Sequence, residues 1–277
     1  LRNSSAASDV YKRQRLFNKM TFSIAPMMKW TDQHCRYFHR ILTKKAILFT
    51  EMISVDAILY GPQHKLLSSN FFDNSTVIQV GGNDPKKLGK VAKIVEKYGY
   101  TEINLNIGCP SNRVKSGNFG ACLMASPQIV SDCVKSIKNN SNLKVSIKCR
   151  IGIDDMSSLD LDRFVSITST AGVKKFIIHA RKAILGGLSP KQNREIPPLD
   201  YQRVEKLKKD NNDLIIILNG GIVSLKAGIK HTRDLNLDGF MMGREAYKNP
   251  YILSFADKLI YGASNGENIS RRMVAFK

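Results

Sequence analysis

The chain has 277 residues, is 43% hydrophobic and 24% charged, and carries a formal net charge of +20 at pH 7. That size and balance suit one globular domain with a large core, and no apolar run reaches the ~20 residues that span a bilayer. Five cysteines (Cys35, Cys109, Cys122, Cys133 and Cys149) without a C-x-x-C pair fit neither a disulfide framework nor a zinc site, and point to reduced thiols in a cytoplasm. The Lys and Arg surplus suits a polyanionic partner, and it equally suits a solvated lysine-rich surface, so charge alone assigns no function.

In chain order, residues 1–14 (LRNSSAASDVYKRQ) show no apolar periodicity and look like a translated sequencing-adapter string. We expect them to be non-native or disordered. The start also lacks the continuous apolar stretch of a signal peptide. From Thr21 onward, short β-branched runs alternate with amphipathic stretches of helical period. Strands are expected near Phe22–Ala25, Ala46–Thr50, Thr76–Val80, Thr101–Asn106, Leu143–Lys148, Lys174–His179, Leu214–Leu218 and Gly239–Met242. Helices are expected near Thr31–Leu42, Pro85–Tyr98, Pro127–Asn139, Leu159–Ala171, Tyr201–Lys209 and Leu225–Arg233, with a less periodic one over Ser54–Tyr60. Eight such units predict an α/β fold, a TIM (β/α)8 barrel over residues 20–249. A doubly wound open sheet is the alternative that the same alternation allows.

In a barrel of this kind the C-terminal strand ends carry the chemistry. Those ends read Pro26-Met27-Met28, Glu51, Gln79, Asn106 with Cys109, Lys148, His179, Asn219-Gly220-Gly221 and Gly243-Arg244. A ring of polar groups capping apolar strands is the pattern of a site rather than of isolated satisfied core groups. Glycines after the seventh and eighth strands suit a phosphate, with Arg244 able to add a charge-assisted bond. Cys109 stands between Gly108 and Pro110 in a loop rather than on a helix face, which favours a chemical role; the other four cysteines read as packed thiols. Glu51 receives no role from chemistry alone.

Several of these segments occur together and in one order: Ala25-Pro26-Met27-Met28, Asn104 to Ser111 (NLNIGCPS), Ser146 to Arg150 (SIKCR), His179 to Ala183 (HARKA), Leu188 to Leu199 (LSPKQNREIPPL) and Asn219-Gly220-Gly221. From about Phe22 to Leu253 the chain resembles the tRNA-dihydrouridine synthases, especially the subgroup acting on uridines 20 and 20a of the D-loop. The resemblance implies an oxidoreductase that binds FMN, uses NADPH as a transient reductant and takes tRNA as its partner in the cytoplasm, with no metal and no stable protein partner expected. Reducing uracil needs hydride at C6 and a proton at C5; no side chain supplies hydride, and no G-x-G-x-x-G follows a strand, so FMN fits better than a dinucleotide fold. Cys109 would be the acid for C5, since an ordinary thiol with a pKa of about 8.5 is mostly protonated at neutral pH.

The resemblance further implies flavin contacts from Pro26, Met27, Met28, Gln79, Lys148, His179, Asn219, Gly220, Gly221, Gly243 and Arg244, and uracil contacts from Asn106, Lys191 and Arg194. The family also carries a C-terminal helical domain that grips tRNA. Residues 250–277 look like its first part, so a truncated helical domain is expected. Two other readings remain at this point: another FMN barrel acting on a pyrimidine, like a dihydroorotate dehydrogenase, and a tRNA-binding factor without catalysis.

Overall fold

A run such as TVIQV (76–80), rich in β-branched apolar residues, is poorly suited to a surface and becomes a strand buried along its whole length. The computed structural model describes residues 20–68, 75–263 and 270. Its strands are β1 (Thr21–Ile24), β2 (Leu48–Ser54), β3 (Thr76–Gly81), β4 (Glu102–Ile107), β5 (Lys144–Arg150), β6 (Lys175–His179), β7 (Ile215–Asn219) and β8 (Gly239–Met242). All pair in parallel in the order β1-β8-β7-β6-β5-β4-β3-β2. The ring closes where Ser23 bridges Ile47: the Ile24 N–H donates to the Ile47 carbonyl and the Ile47 N–H to the Phe22 carbonyl, both at 2.9 Å. The barrel, rather than the open sheet, is therefore the arrangement adopted, with every strand's C-terminal end at one mouth.

The intervening helices start where the sequence supplies caps. Asp32, Ser54, Asp84, Asp200 and Ser224 each accept a backbone N–H from the first turn, and Ser157 with Asp160 forms a capping box. The seven expected helices form with ends within two residues of expectation. Helices over Gln63–Leu67, Asn112–Ser116 and Arg244–Lys248 were not expected. β2 runs four residues beyond its expected end. A bulge between Phe49 and Met52 lets the strand continue, and the Thr50 hydroxyl accepts the Gln79 N–H at 3.0 Å. The expected foreign segment at residues 1–14 lies outside the described residues. Of the expected helical start over 250–277, the turn Pro250–Phe255 and the helix Ala256–Tyr261 lie within them.

Strand alternation divides the core in two. One set of side chains packs between sheet and helices, with Phe22, Phe164, Phe176 and Phe240 fully buried. The other set faces the barrel axis. Ala25, Phe49, Val77, Ile177, Ile217 and Met241 make one apolar side of that interior, whereas Gln79, Glu102, Asn104, Ser146 and Asn219 on β3, β4, β5 and β7 are buried polar groups of the same parity. At the β1–β8 seam, Gly239 comes so close to β1 that a Cβ there would lie 2.0 Å from the Thr21 carbonyl oxygen. Backbone cannot step aside as a side chain can, so Gly239→Ala should lower stability by about 3 kcal/mol. A thermal melt reads this, and an unchanged midpoint would show that the seam yields freely.

Candidate active site

The polar half of the interior is a continuous hydrogen-bonded column. At the barrel floor the Lys175 ammonium pairs with Glu102 at 2.6 Å, and the Ser146 hydroxyl donates to the same carboxylate at 2.6 Å. Asn104 donates to Ser146 at 2.9 Å, and Gln79 donates to Asn104 at 2.8 Å. Asn106 then donates to Gln79 at 2.8 Å. Glu102, Asn104 and Asn106 share one face of β4 because side chains two apart point the same way. At the top, the Asn106 carbonyl accepts the N–H groups of Gly108 and Cys109 at 3.2 and 3.0 Å. An amide side chain thus turns the chain sharply and sets Cys109 at the mouth. Its sulfur lies 3.5 Å from the Ser111 hydroxyl.

Across the mouth the Lys148 ammonium donates to Asn219 at 2.9 Å, and Asn219 donates to the Met241 carbonyl at 2.9 Å. Burial, and then the neighbouring Arg150, push the Lys148 pKa down to about 8. His179 is held well below its ordinary 6.5 by burial and by Arg150, Lys148, Arg181 and Arg194, so its imidazole is neutral. Its Nδ1 is buried without a hydrogen-bonding partner in the structure. The His179 ring lies against Gly220, where a Cβ would come within 2.8 Å of it; Gly220 and Gly221 both have positive φ (105° and 71°). Tyr201 pins this turn by donating to the Gly220 carbonyl at 2.8 Å.

The turn after β1 completes the rim. Met27 packs toward the apolar side of the interior and Met28 is exposed. Lys29 has a φ of 63° and gives its N–H to the Glu51 carboxylate. Glu51, for which chemistry alone offered no role, is the anchor of this turn. Trp30 stacks on Tyr247 at 4.5 Å and so ties the turn to the helix after Gly243.

Cys109, Lys148, His179, Asn219, Gly220 and Gly221 are thus brought to one mouth, with Pro26, Met27, Met28 and Gly243 at its edge. Gln79 and Asn106 lie beneath them, already engaged in the column. The Arg244 guanidinium is on Glu195 at 2.8 Å rather than free, though a half-exposed pair of this sort contributes only about 0–1 kcal/mol and exchanges readily. Lys191 and Arg194 stand exposed around the short turn Gln192–Arg194, and Arg194 is within electrostatic reach of Cys109.

The other thiols are elsewhere. Cys133 and Cys149 are buried and pushed up to about 12, and Cys35 to about 11, so they are inert neutral thiols. Half-buried Cys122 is also raised by burial.

A match to the family described as "Dihydrouridine synthase (Dus)" covers residues 23–273. The chain belongs to the dihydrouridine synthase family. Similar proteins include the tRNA-dihydrouridine(20/20a) synthase of Vibrio vulnificus (strain CMCP6), 50% identical over 91% of this chain and 77% of the relative. The protein of that name from Salmonella typhi is 52% identical over 87% and 73%, and the one from Pasteurella multocida is 48% identical over 90% and 76%. Within this dihydrouridine synthase a second residue that sequence reasoning left without a role is Arg150. Its Nε donates to the Gly108 carbonyl at 3.0 Å, and one terminal nitrogen donates to the carbonyls of Lys182 and Asn193 at 2.9 Å each. No sequence signal could have found this, because all three partners are backbone oxygens in separate loops.

Proposed function

We infer that this chain reduces uridines 20 and 20a in the D-loop of tRNA to 5,6-dihydrouridine, with FMN as its flavin and NADPH as the reductant. The observation that carries the reading is the convergence of Cys109, Lys148 and neutral His179 on one barrel mouth, in a member of this family. Among the described residues no helix is long and apolar enough to cross a membrane. The five thiols are free, which suits the reducing cytoplasm where tRNA is met.

The residues fit a flavin. The buried Nδ1 of His179 lacks a partner, Lys148 supplies a cation, and the positive-φ glycines after β7 let a phosphate approach the backbone. Lys148, His179, Asn219, Gly220, Gly221 and Gly243 would hold it, with Pro26, Met27 and Met28 beside the ring and Gln79 at its edge. Arg244 would leave Glu195 for the phosphate. When bound, the flavin supplies hydride to C6 of the uracil. Cys109 delivers the proton to C5, and Asn106 keeps that thiol in place through the two N–H groups it accepts. Lys191 and Arg194, with the remaining amide hydrogen of Asn106, would engage the uracil carbonyls and nearby phosphates. The flipped base must be drawn from its stack by contacts elsewhere on the RNA, and the helical segment that begins after residue 249 is the element we assign to that grip.

The test is anaerobic incubation of the yellow, FMN-loaded protein with NADPH and unmodified tRNA, followed by nucleoside mass spectrometry. Dihydrouridine at the two D-loop positions is the expected product. Flavin turnover without any gain of dihydrouridine would overturn the reading.

A further inference from the structure

Arg150 is buried to 4% exposure, and no carboxylate pairs with it among the described residues. A buried charge without a counter-ion is costly, and burial pushes its pKa down to about 10, yet it stays a cation at neutral pH. The guanidinium is satisfied by three carbonyls that belong to three separate segments: Gly108 just before Cys109, Lys182 just beyond β6, and Asn193 within the turn that carries Lys191 and Arg194. A planar fork of fixed donors holds such a set in one geometry, whereas an ammonium offers three donors that rotate about a single point.

The Asn193 end is itself rigid. The Asn193 side chain is fully buried, accepts the Ile184 N–H at 2.7 Å, and donates to the carbonyls of Ile184 and Leu188 at 2.8 and 3.2 Å. The loop from Ile184 to Arg194 is therefore folded around one amide, and Arg150 bolts that amide's own backbone to the turn before the thiol.

We propose that Arg150 is a positioning residue that joins the Cys109 loop and the Lys191–Arg194 loop into one body, fixing the proton donor relative to the groups that receive the uracil. The proposal rests on the functional reading above. It assigns to Arg150 no contact with substrate or flavin. Its effect is confined to the step in which base and thiol must meet, where a displacement of about 1 Å is enough to cost ~10²-fold in rate.

The test uses the full chain loaded with FMN, as wild type, Arg150→Lys, Asn193→Ala and the double variant. Arg150→Lys keeps the charge but not the fork, and Asn193→Ala loosens the far end of the clamp without touching the buried cation. Reduction of bound flavin by NADPH without tRNA should match wild type in all three variants, which also reports that they are folded. Reoxidation by unmodified tRNA in a single turnover should fall about 10²-fold in each single variant, and no further in the double, because both act on one clamp. Hydrogen exchange supplies a readout that needs no substrate: Asn193→Ala should speed amide exchange at Gly108 and Cys109 as well as in its own loop. Wild-type tRNA reoxidation in Arg150→Lys, or losses that add in the double variant, would overturn the proposal. A wild type that tRNA cannot reoxidise would overturn the functional reading instead, and coupled exchange would then uphold the clamp as a structural joint.

Discussion

Cys109→Ala is expected to retain its flavin and its reduction by NADPH while forming dihydrouridine about 10² to 10⁴ times more slowly, the usual span for a positioned general acid. The geometry explains why the two half-reactions should separate. Cys109 is held through its backbone N–H by Asn106, and its sulfur has the Ser111 hydroxyl, not Lys148 or His179, as its hydrogen-bonding neighbour. Removing the thiol therefore leaves the Lys148–Asn219 pair and the Gly220–Gly221 turn untouched. The measurement is a pair of anaerobic traces, flavin reduction by NADPH and reoxidation by tRNA. Equal reoxidation by mutant and parent would mean that water or another side chain protonates C5.

Lys148→Ala should act on the other half-reaction. Loss of a charge-assisted donor, with the Asn219 oxygen stripped of its partner, should weaken FMN retention by about 10- to 10²-fold. The pH dependence follows from the shift to about 8. Below that value the ammonium is charged, and it loses its proton as pH rises through it. Tight flavin binding and tRNA-independent reduction should therefore decline on a basic limb near pH 8. Cys109→Ala should keep that limb, whereas Lys148→Arg, charged throughout, should lack it. Stability runs the opposite way: the unfolded lysine, near 10.4, holds its proton longer, so the cost of burying the charge fades between about pH 8 and 10.4 and the fold gains stability there. Flavin titrations by fluorescence quenching across that range decide the matter. A limb that persists in Lys148→Arg would assign the titration to another group.

The strands were legible because a strand buried on both faces has to be a short apolar, β-branched run, and eight of them have no other use. Helix starts were legible where Asp84 or Ser224 offered a capping oxygen, whereas the helix capped by Asp32 begins at Gln33, two residues after its expected start. The helices Asn112–Ser116 and Arg244–Lys248 are too short to show a period, and they form because loops on the barrel rim hold them. At the site, the residue types at strand ends announced the polar ring that the structure places at the barrel mouth. Their partners were not announced: Asn106 reads as a uracil ligand in sequence, but most of its amide is spent on Gln79, Gly108 and Cys109. Arg150 and Glu51 work through backbone groups, which every residue carries and which therefore leave no trace in composition or spacing.

The column from Lys175 to Asn106 also bears on how the strands find their partners. A slip of two residues between β4 and β5 keeps every side chain on its proper face, so the inside–outside alternation cannot reject it. The paired groups can. In such a slip Asn104 would face Lys144 or Lys148 in place of Ser146, and the bond from its amide to the Ser146 hydroxyl would be unmade. Each such loss costs about 1–3 kcal/mol, a large share of the margin by which a folded domain exceeds its competitors. The polar half of this barrel is thus a proofreader of strand register, accepting one alignment out of several that hydrophobic burial alone would admit.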